Sequence, residues 1–309
     1  MSAEAGTKAV LAALGANVGI AVSKFVGWGF SGSTSMLAEG VHSLVDSGNQ
    51  VLLLVGGRRA ARAADVEHPF GYGRDRYFYA FVVSVVLFTL GGAFALYEGA
   101  HKVAAPHGVE RPFVALAVLG AAVVLEAFSF RTAARESRPL KGEASWWRFI
   151  RRTTNPELPV ILLEDTGALV GLGFAVFGVV LSLVTGNGVW DGIGTLLIGA
   201  LLCTIAAILA VEMKSLLIGE GAAPAVVREI ERALVGDARV FPRVIHMRTM
   251  YLGPEELLVA AKVAVDPALA LPQVASAIDA AETRIRAAVP VAGLVYVEPD
   301  LDRAPRVAR

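Results

Sequence analysis

Cysteine is nearly missing: the only one, Cys203, lies in an apolar run. A disulfide within the chain and a thiolate metal cluster are therefore excluded, and Cys203 reads as a small core or lipid-facing residue. Excess charge of either sign is missing too. With 28 basic and 28 acidic residues the formal net charge is zero, so nucleic acid, which demands a concentrated basic face against its phosphates, is not an expected partner. There is no repeat with a period of about 20–50 residues and no low-complexity tract. Nor does the N-terminal MSAEAGTKAV carry an arginine-rich amphipathic stretch or a small-residue cleavage site, so no cleaved targeting peptide is expected. What the chain has in quantity is apolar surface: 55% of residues are hydrophobic and 18% charged, with mean hydropathy +0.59. That is too apolar for a soluble protein, and lipid is the expected solvent.

A spanning helix needs about 20 mostly apolar residues. Six stretches qualify, near 7–30, 34–58, 77–104, 112–134, 158–185 and 189–217. The connection after the second carries Arg58, Arg59, Arg62, Arg74 and Arg76, and that after the fourth carries seven basic residues from Arg131 to Arg152. The alternate connections hold only Lys102 and Arg111. By the positive-inside rule both charged connections are cytoplasmic, and so are both termini.

Beyond the last span the pattern changes. AVVREIERALVG has helical spacing, RVIHMRTMYL and ELLVAAKVAV alternate like strands around a GPE turn, LPQVASAIDAAETRIRAAV is helical, and GLVYVEP reads as a strand. The expected fold is thus membrane all-α, six transmembrane helices over residues 1–217, followed by a small cytoplasmic α+β domain of order α-β-β-α-β over 218–309.

An ionisable side chain in hydrocarbon costs several kcal/mol unless it is paired, hydrated or holding a metal. The second span concentrates such residues: in SMLAEGVHSLVDSGNQ, Glu39, His42, Ser43, Asp46, Asn49 and Gln50 recur at steps of three and four and form one polar stripe. His42 and Asp46 stand four residues apart, which lets an imidazole nitrogen and a carboxylate converge on one cation. The competing role is a hydrogen-bonded His–Asp pair that joins helices. The fifth span adds Glu164 and Asp165, which point about 100° apart on a helix and so define two faces. Gly167, Gly171 and Gly173 beside them allow a neighbouring helix to approach. His42, Asp46, Asp165 and, less firmly, Glu164 suit Zn²⁺ or a similar first-row dication better than Mg²⁺ or Cu⁺. Elsewhere, Lys24 is expected to snorkel and Asn17 to bond a neighbouring helix. Glu98, Glu126 and Glu212 are expected to be solvated or paired with arginine, and Asp191 to favour a helix N-terminus.

Four ordered blocks, SGSTSMLAEGVHSLVDSGNQ, EHPFGYGRDRYFYA, VILLEDTGALVG with TGNGVWDGIGTLLIGALL, and RTMYLGPEELLVAAKVAVD, resemble the cation diffusion facilitator family. Within it they are most similar to the branch that includes the eukaryotic mitochondrial zinc exporter. The resemblance covers nearly the whole chain. It implies six helices with a cytoplasmic metallochaperone-like domain, a homodimer, and exchange of a dication for protons by alternating access. It also implies an intramembrane metal site at His42, Asp46 and Asp165. Most members have a histidine four residues before the aspartate, where this chain has Ile161, leaving Glu164 or water as the fourth ligand. A second site found in some members is only partly present, with Asp65 and His68 in place but Tyr72 where a further histidine would lie; that loop is expected to be structural. In the soluble domain His246 is the only histidine and Tyr296 replaces another ligand, so a binuclear regulatory site there is not expected.

Such a cluster holds either a dication or protons, because its ligands must be deprotonated to bind metal, and an imidazole titrates in the physiological range. The expected function is divalent metal cation transport, Zn²⁺ efflux by proton antiport, with Fe²⁺, Mn²⁺ or Co²⁺ as alternative cargo and no resident cofactor. Membrane-bound metalloenzyme chemistry would need a general base and cleft, and no H-E-x-x-H signature is present. A non-transporting metal sensor is the third reading. The short N-terminus favours a bacterial plasma membrane.

Overall fold

Long apolar runs can satisfy their backbone polar groups in lipid only by bonding within the segment, which makes helices of them. The computed structural model describes residues 2–31, 34–106, 112–236 and 240–301, with the side chains of 2–5, 31, 34–42 and 112 outside the description. Among the described residues, five segments are long and apolar enough to cross a membrane: Gly6–Phe30, Asp75–Ala104, Phe113–Lys141, Glu157–Thr185 and Val189–Ile218. At 1.5 Å per residue, 25 to 30 residues exceed the ~30 Å hydrocarbon layer with margin. They belong to α1 (Ser2–Ser31), to α3 (Asp75–Val86) continued through a π-helical turn at Leu87–Ala93 into α4 (Phe94–Ala104), and to α5 (Pro112–Lys141), α7 (Glu157–Thr185) and α8 (Val189–Ile218). The remaining expected span, α2 (Thr34–Ala60), is a 27-residue helix and the least apolar of the long ones, because it bears the polar stripe. A short helix, α6 (Trp146–Arg152), is capped by Ser145, whose hydroxyl accepts from Arg148 N.

Contacts divide the chain into two units. One holds the residues up to Arg62 together with Arg74–Lys214; the other joins Ala63–Gly73 to the described residues from Ser215 onward.

In the first unit, small residues let helices meet at backbone distance, as membrane helices require when lipid supplies no hydrophobic drive between them. A Cβ at Gly99 of α4 would lie 2.7 Å from Leu196 N of α8, and one at Gly199 of α8 would lie 2.7 Å from Leu96 N of α4. Cys203 Sγ faces Gly92 within the π-helical turn, so the lone cysteine packs between helices and is half-buried. Of the three fifth-span glycines, Gly167 and Gly171 face Ile205 and Ile198 of α8, whereas Gly173 meets open space. Arg76 pairs with Glu157 at 3.0 Å, almost wholly out of solvent.

The second unit contains α9 (Pro224–Leu234), β1 (Val244–Gly253), β2 (Glu256–Val265), α10 (Leu271–Ala288) and β3 (Leu294–Leu301). β2 is central, antiparallel to β1 and parallel to β3, the return to β3 running through α10. Leu257, Val259, Ala261 and Val263 of β2 are all buried, the period of two that one covered face demands. Ile230 and Leu234 of α9 and Ala281 and Ile285 of α10 cover that face, each large side chain contributing about 1.5–3 kcal/mol. Residues 63–73 pack here too: Gly73 lies so close to the hairpin end that a Cβ would be 2.7 Å from Leu252 O.

Candidate metal centre

The described part of the α2 stripe faces protein: Ser43, Ser47, Asn49 and Gln50 are buried and Asp46 is half-buried. Since lipid offers no hydrogen bonds, such groups find partners within the protein; Ser47 Oγ donates to Ser43 O of its own helix at 2.9 Å. Lys24 of α1 donates to Ser43 Oγ at 3.0 Å. This lysine is half-buried and turns inward to α2, which differs from the snorkelling expected of it. Asn17 of α1 donates to Gln50 Oε1 at 3.1 Å, the interhelical bond its position implied.

The two neighbouring acids of α7 take different partners. Glu164 Oε1 accepts from Asn49 Nδ2 at 3.2 Å and Oε2 from Gln50 Nε2 at 2.9 Å, so this carboxylate faces α2. Asp165 Oδ2 accepts from Ser129 Oγ of α5 at 2.7 Å. Both are at least nine-tenths buried. Their divergence follows from the 100° step between consecutive helical residues.

A further acid joins them. Glu126, one turn before Ser129 on α5, is 7% exposed and close enough to Asp165, Asp46 and Lys24 for their charges to act on it. It is buried, and among the described residues it forms no ion pair with arginine, contrary to the solvated or arginine-paired role expected. The signal was available, since the same rule that singled out Asp165 applies to it. Glu126 and Glu164 are each within electrostatic range of Asp46 and Asp165, so acids of α2, α5 and α7 lie in one part of the first unit. The side chains of Glu39 and His42 lie outside the described residues. Among the described residues no three histidine, cysteine or carboxylate groups converge tightly enough to hold a metal ion.

The remaining sequence candidates lie elsewhere. Asp65 and His68 sit in the loop of residues 63–73, where Asp65 Oδ1 accepts from the backbone N–H groups of Glu67 and His68 at 3.0 and 2.8 Å. Its other oxygen accepts from Tyr72 Oη at 2.6 Å, and the His68 ring packs 4.3 Å from that of Tyr72. The Tyr72 hydroxyl, followed by the His68 N–H, holds the Asp65 carboxyl below its usual range. Glu212 pairs with Arg151 at 3.0 Å, and Asp191, in the first turn of α8, with Lys102 at 3.0 Å. His246 lines a shallow hollow of the sheet with Arg248, Lys262 and Tyr296.

Long apolar helices enclosing buried acidic side chains define an integral membrane protein. Residues 10–218 match the cation efflux transmembrane domain, and the chain belongs to the cation efflux, or cation diffusion facilitator, family. It is 32% identical over 226 residues to the human protein named proton-coupled zinc antiporter SLC30A9, mitochondrial, covering 72% of this chain and 39% of that one. It is 32% identical over 216 residues to metal tolerance protein C4 of Arabidopsis thaliana, covering 69% and 47%. Magnetosome protein MamM of Magnetospirillum gryphiswaldense is 38% identical over 82 residues, 24% of this chain and 26% of its own. The chain therefore spans under half the length of these relatives. The matched family is one of cation efflux proteins.

Proposed function

We propose that this chain exports a divalent metal cation, Zn²⁺ first, in exchange for protons by alternating access. The observation that carries the reading is the burial of Glu126 on α5 and of Glu164 and Asp165 on α7 within the first unit, with Glu164 bonded to the polar stripe of α2. Fixed negative charge in a low-dielectric medium is costly unless cations balance it, and both a dication and protons can do so. His42 and Asp46 of α2 with Asp165 of α7 are the proposed ligands, and Glu164 or water completes the set. An imidazole with carboxylates favours Zn²⁺ among common dications, while Fe²⁺, Mn²⁺ and Co²⁺ remain chemically admissible cargo. Support for zinc and for proton coupling comes from the printed name of the human relative.

In this reading α2 is the sixth span, its polar stripe shielded by α1, α5 and α7. The protein works as a homodimer in a bacterial plasma membrane with both termini cytoplasmic, as the basic connections favour. The test is Zn²⁺ uptake into proteoliposomes under an imposed pH gradient. Saturable flux that collapses with the gradient and is lost in H42A and D46A is the expected result; intact flux in both variants would remove the site assignment.

A further inference from the structure

Glu164 stands beside Asp165 in sequence but turns to a different helix. Each of its two oxygens accepts from a different amide of α2, Asn49 Nδ2 at 3.2 Å and Gln50 Nε2 at 2.9 Å. Gln50 is fully buried, and its own oxygen is bonded in turn by Asn17 of α1 at 3.1 Å. The result is a continuous polar chain, Asn17 to Gln50 to Glu164, that ties three helices at one level. The acid that does face away from this chain, Asp165, is held by Ser129 on α5 instead.

We infer that Glu164 is a positioning residue and not a ligand: its carboxylate, clamped by Asn49 and Gln50, locks α7 to α2 so that Asp165 and Asp46 stand in register for the cation. The inference rests on the transport site proposed above and narrows it by leaving the fourth position to water or another group. Two observations support the clamp. Amide donors match a carboxylate's two oxygens one for one, which is the bonding a buried acid needs. Finally, Asn49 Oδ1 is a buried acceptor with no partner among the described residues. Turning the Asn49 amide over would present that oxygen to a donor at position 164, so the clamp can accommodate a neutral amide in place of the acid.

Zn²⁺ titration calorimetry and proteoliposome flux on the full chain with E164L, E164Q and D165N decide the matter. The clamp predicts that E164L lowers Vmax by at least about tenfold while its Zn²⁺ Kd moves less than about tenfold, below the range that disturbing a metal site costs. E164Q should regain most of the Vmax, because an amide can still bond Asn49 and Gln50. D165N should weaken Zn²⁺ binding by more than about tenfold. A loss of affinity in E164Q as large as that in D165N would overturn the inference alone, and this holds even if E164L does not fold. Wild-type affinity in D165N would bring down the ligand set itself, and the clamp's purpose with it.

Discussion

Ser129 of α5 donates its hydroxyl to Asp165 of α7 across 2.7 Å, and both residues are essentially out of solvent. In the site proposed above, this bond fixes one carboxylate oxygen and leaves the other to face the cation. Outer-shell bonds of this kind orient ligands, and losing them typically costs about 10–100-fold in metal affinity. S129A should therefore weaken Zn²⁺ binding by about tenfold in calorimetry, with S129T closer to the parent because it keeps the hydroxyl. Unchanged affinity in S129A would mean that Asp165 needs no such anchor.

The Arg76–Glu157 pair joins α3 to α7 with both side chains nearly buried. Removing one partner of a buried pair strands the other charge and costs about 3–5 kcal/mol. R76M should lower the thermal midpoint in fluorescence-detected size exclusion clearly, and R76M with E157M together should recover much of the loss. If the double variant were no better than the single one, the pair would not be the source of the effect.

Backbone contact between α4 and α8 makes Gly99 intolerant of any side chain. G99A forces a methyl group to within 2.7 Å of Leu196 N, and overpacking of this kind costs about 1–3 kcal/mol. G15A in α1, where a Cβ meets nothing within 4 Å, should be neutral or slightly stabilising by helix propensity. Thermal melts of the two variants side by side test the contrast, and equal midpoints would contradict the packing.

Acid should loosen the 63–73 loop. Asp65 titrates below its ordinary 3.8, chiefly through the Tyr72 hydroxyl. A folded value below the unfolded one means the stabilisation is complete above 3.8 and fades as pH falls through the lower, folded value. Hydrogen exchange at the Glu67 and His68 amides, corrected for intrinsic rates, should therefore accelerate in that acidic window. Y72F should move the onset to higher pH, and an onset unmoved by Y72F would assign the effect to another group.

Much of this architecture is legible from residue order. The apolar runs near 158–185 and 189–217 end within a residue or so of α7 and α8, because Gly186 closes α7 in a left-handed turn and little else in the segment interrupts. Run length reads less well where the helix outlasts the apolar run: α5 continues to Lys141, some turns past the expected 134, since its arginines favour helix as much as its apolar residues do. The π-helical turn at Leu87–Ala93 has no marker beyond Gly91 and Gly92. In the site, the stripe on α2 was visible from its spacing, as was the divergence of Glu164 and Asp165. Which helix each acid faces was not, because a bond between positions 50 and 164 depends on how α2 and α7 pack. Glu126 was misread for a simpler reason: a single acid in an apolar run carries no spacing signal, and only the packing of α5 gives it company.

The loop that connects α2 to α3 is, by its contacts, part of the C-terminal unit: Gly73 is pressed against the hairpin at Leu252 and Gly253. A truncation after Lys214 looks like a clean excision of the C-terminal unit, yet it would strip this eleven-residue segment of its packing surface. The chain is stitched rather than merely joined at one seam. Experiments that amputate the tail to ask what the first unit does alone would also be freeing the segment between α2 and α3.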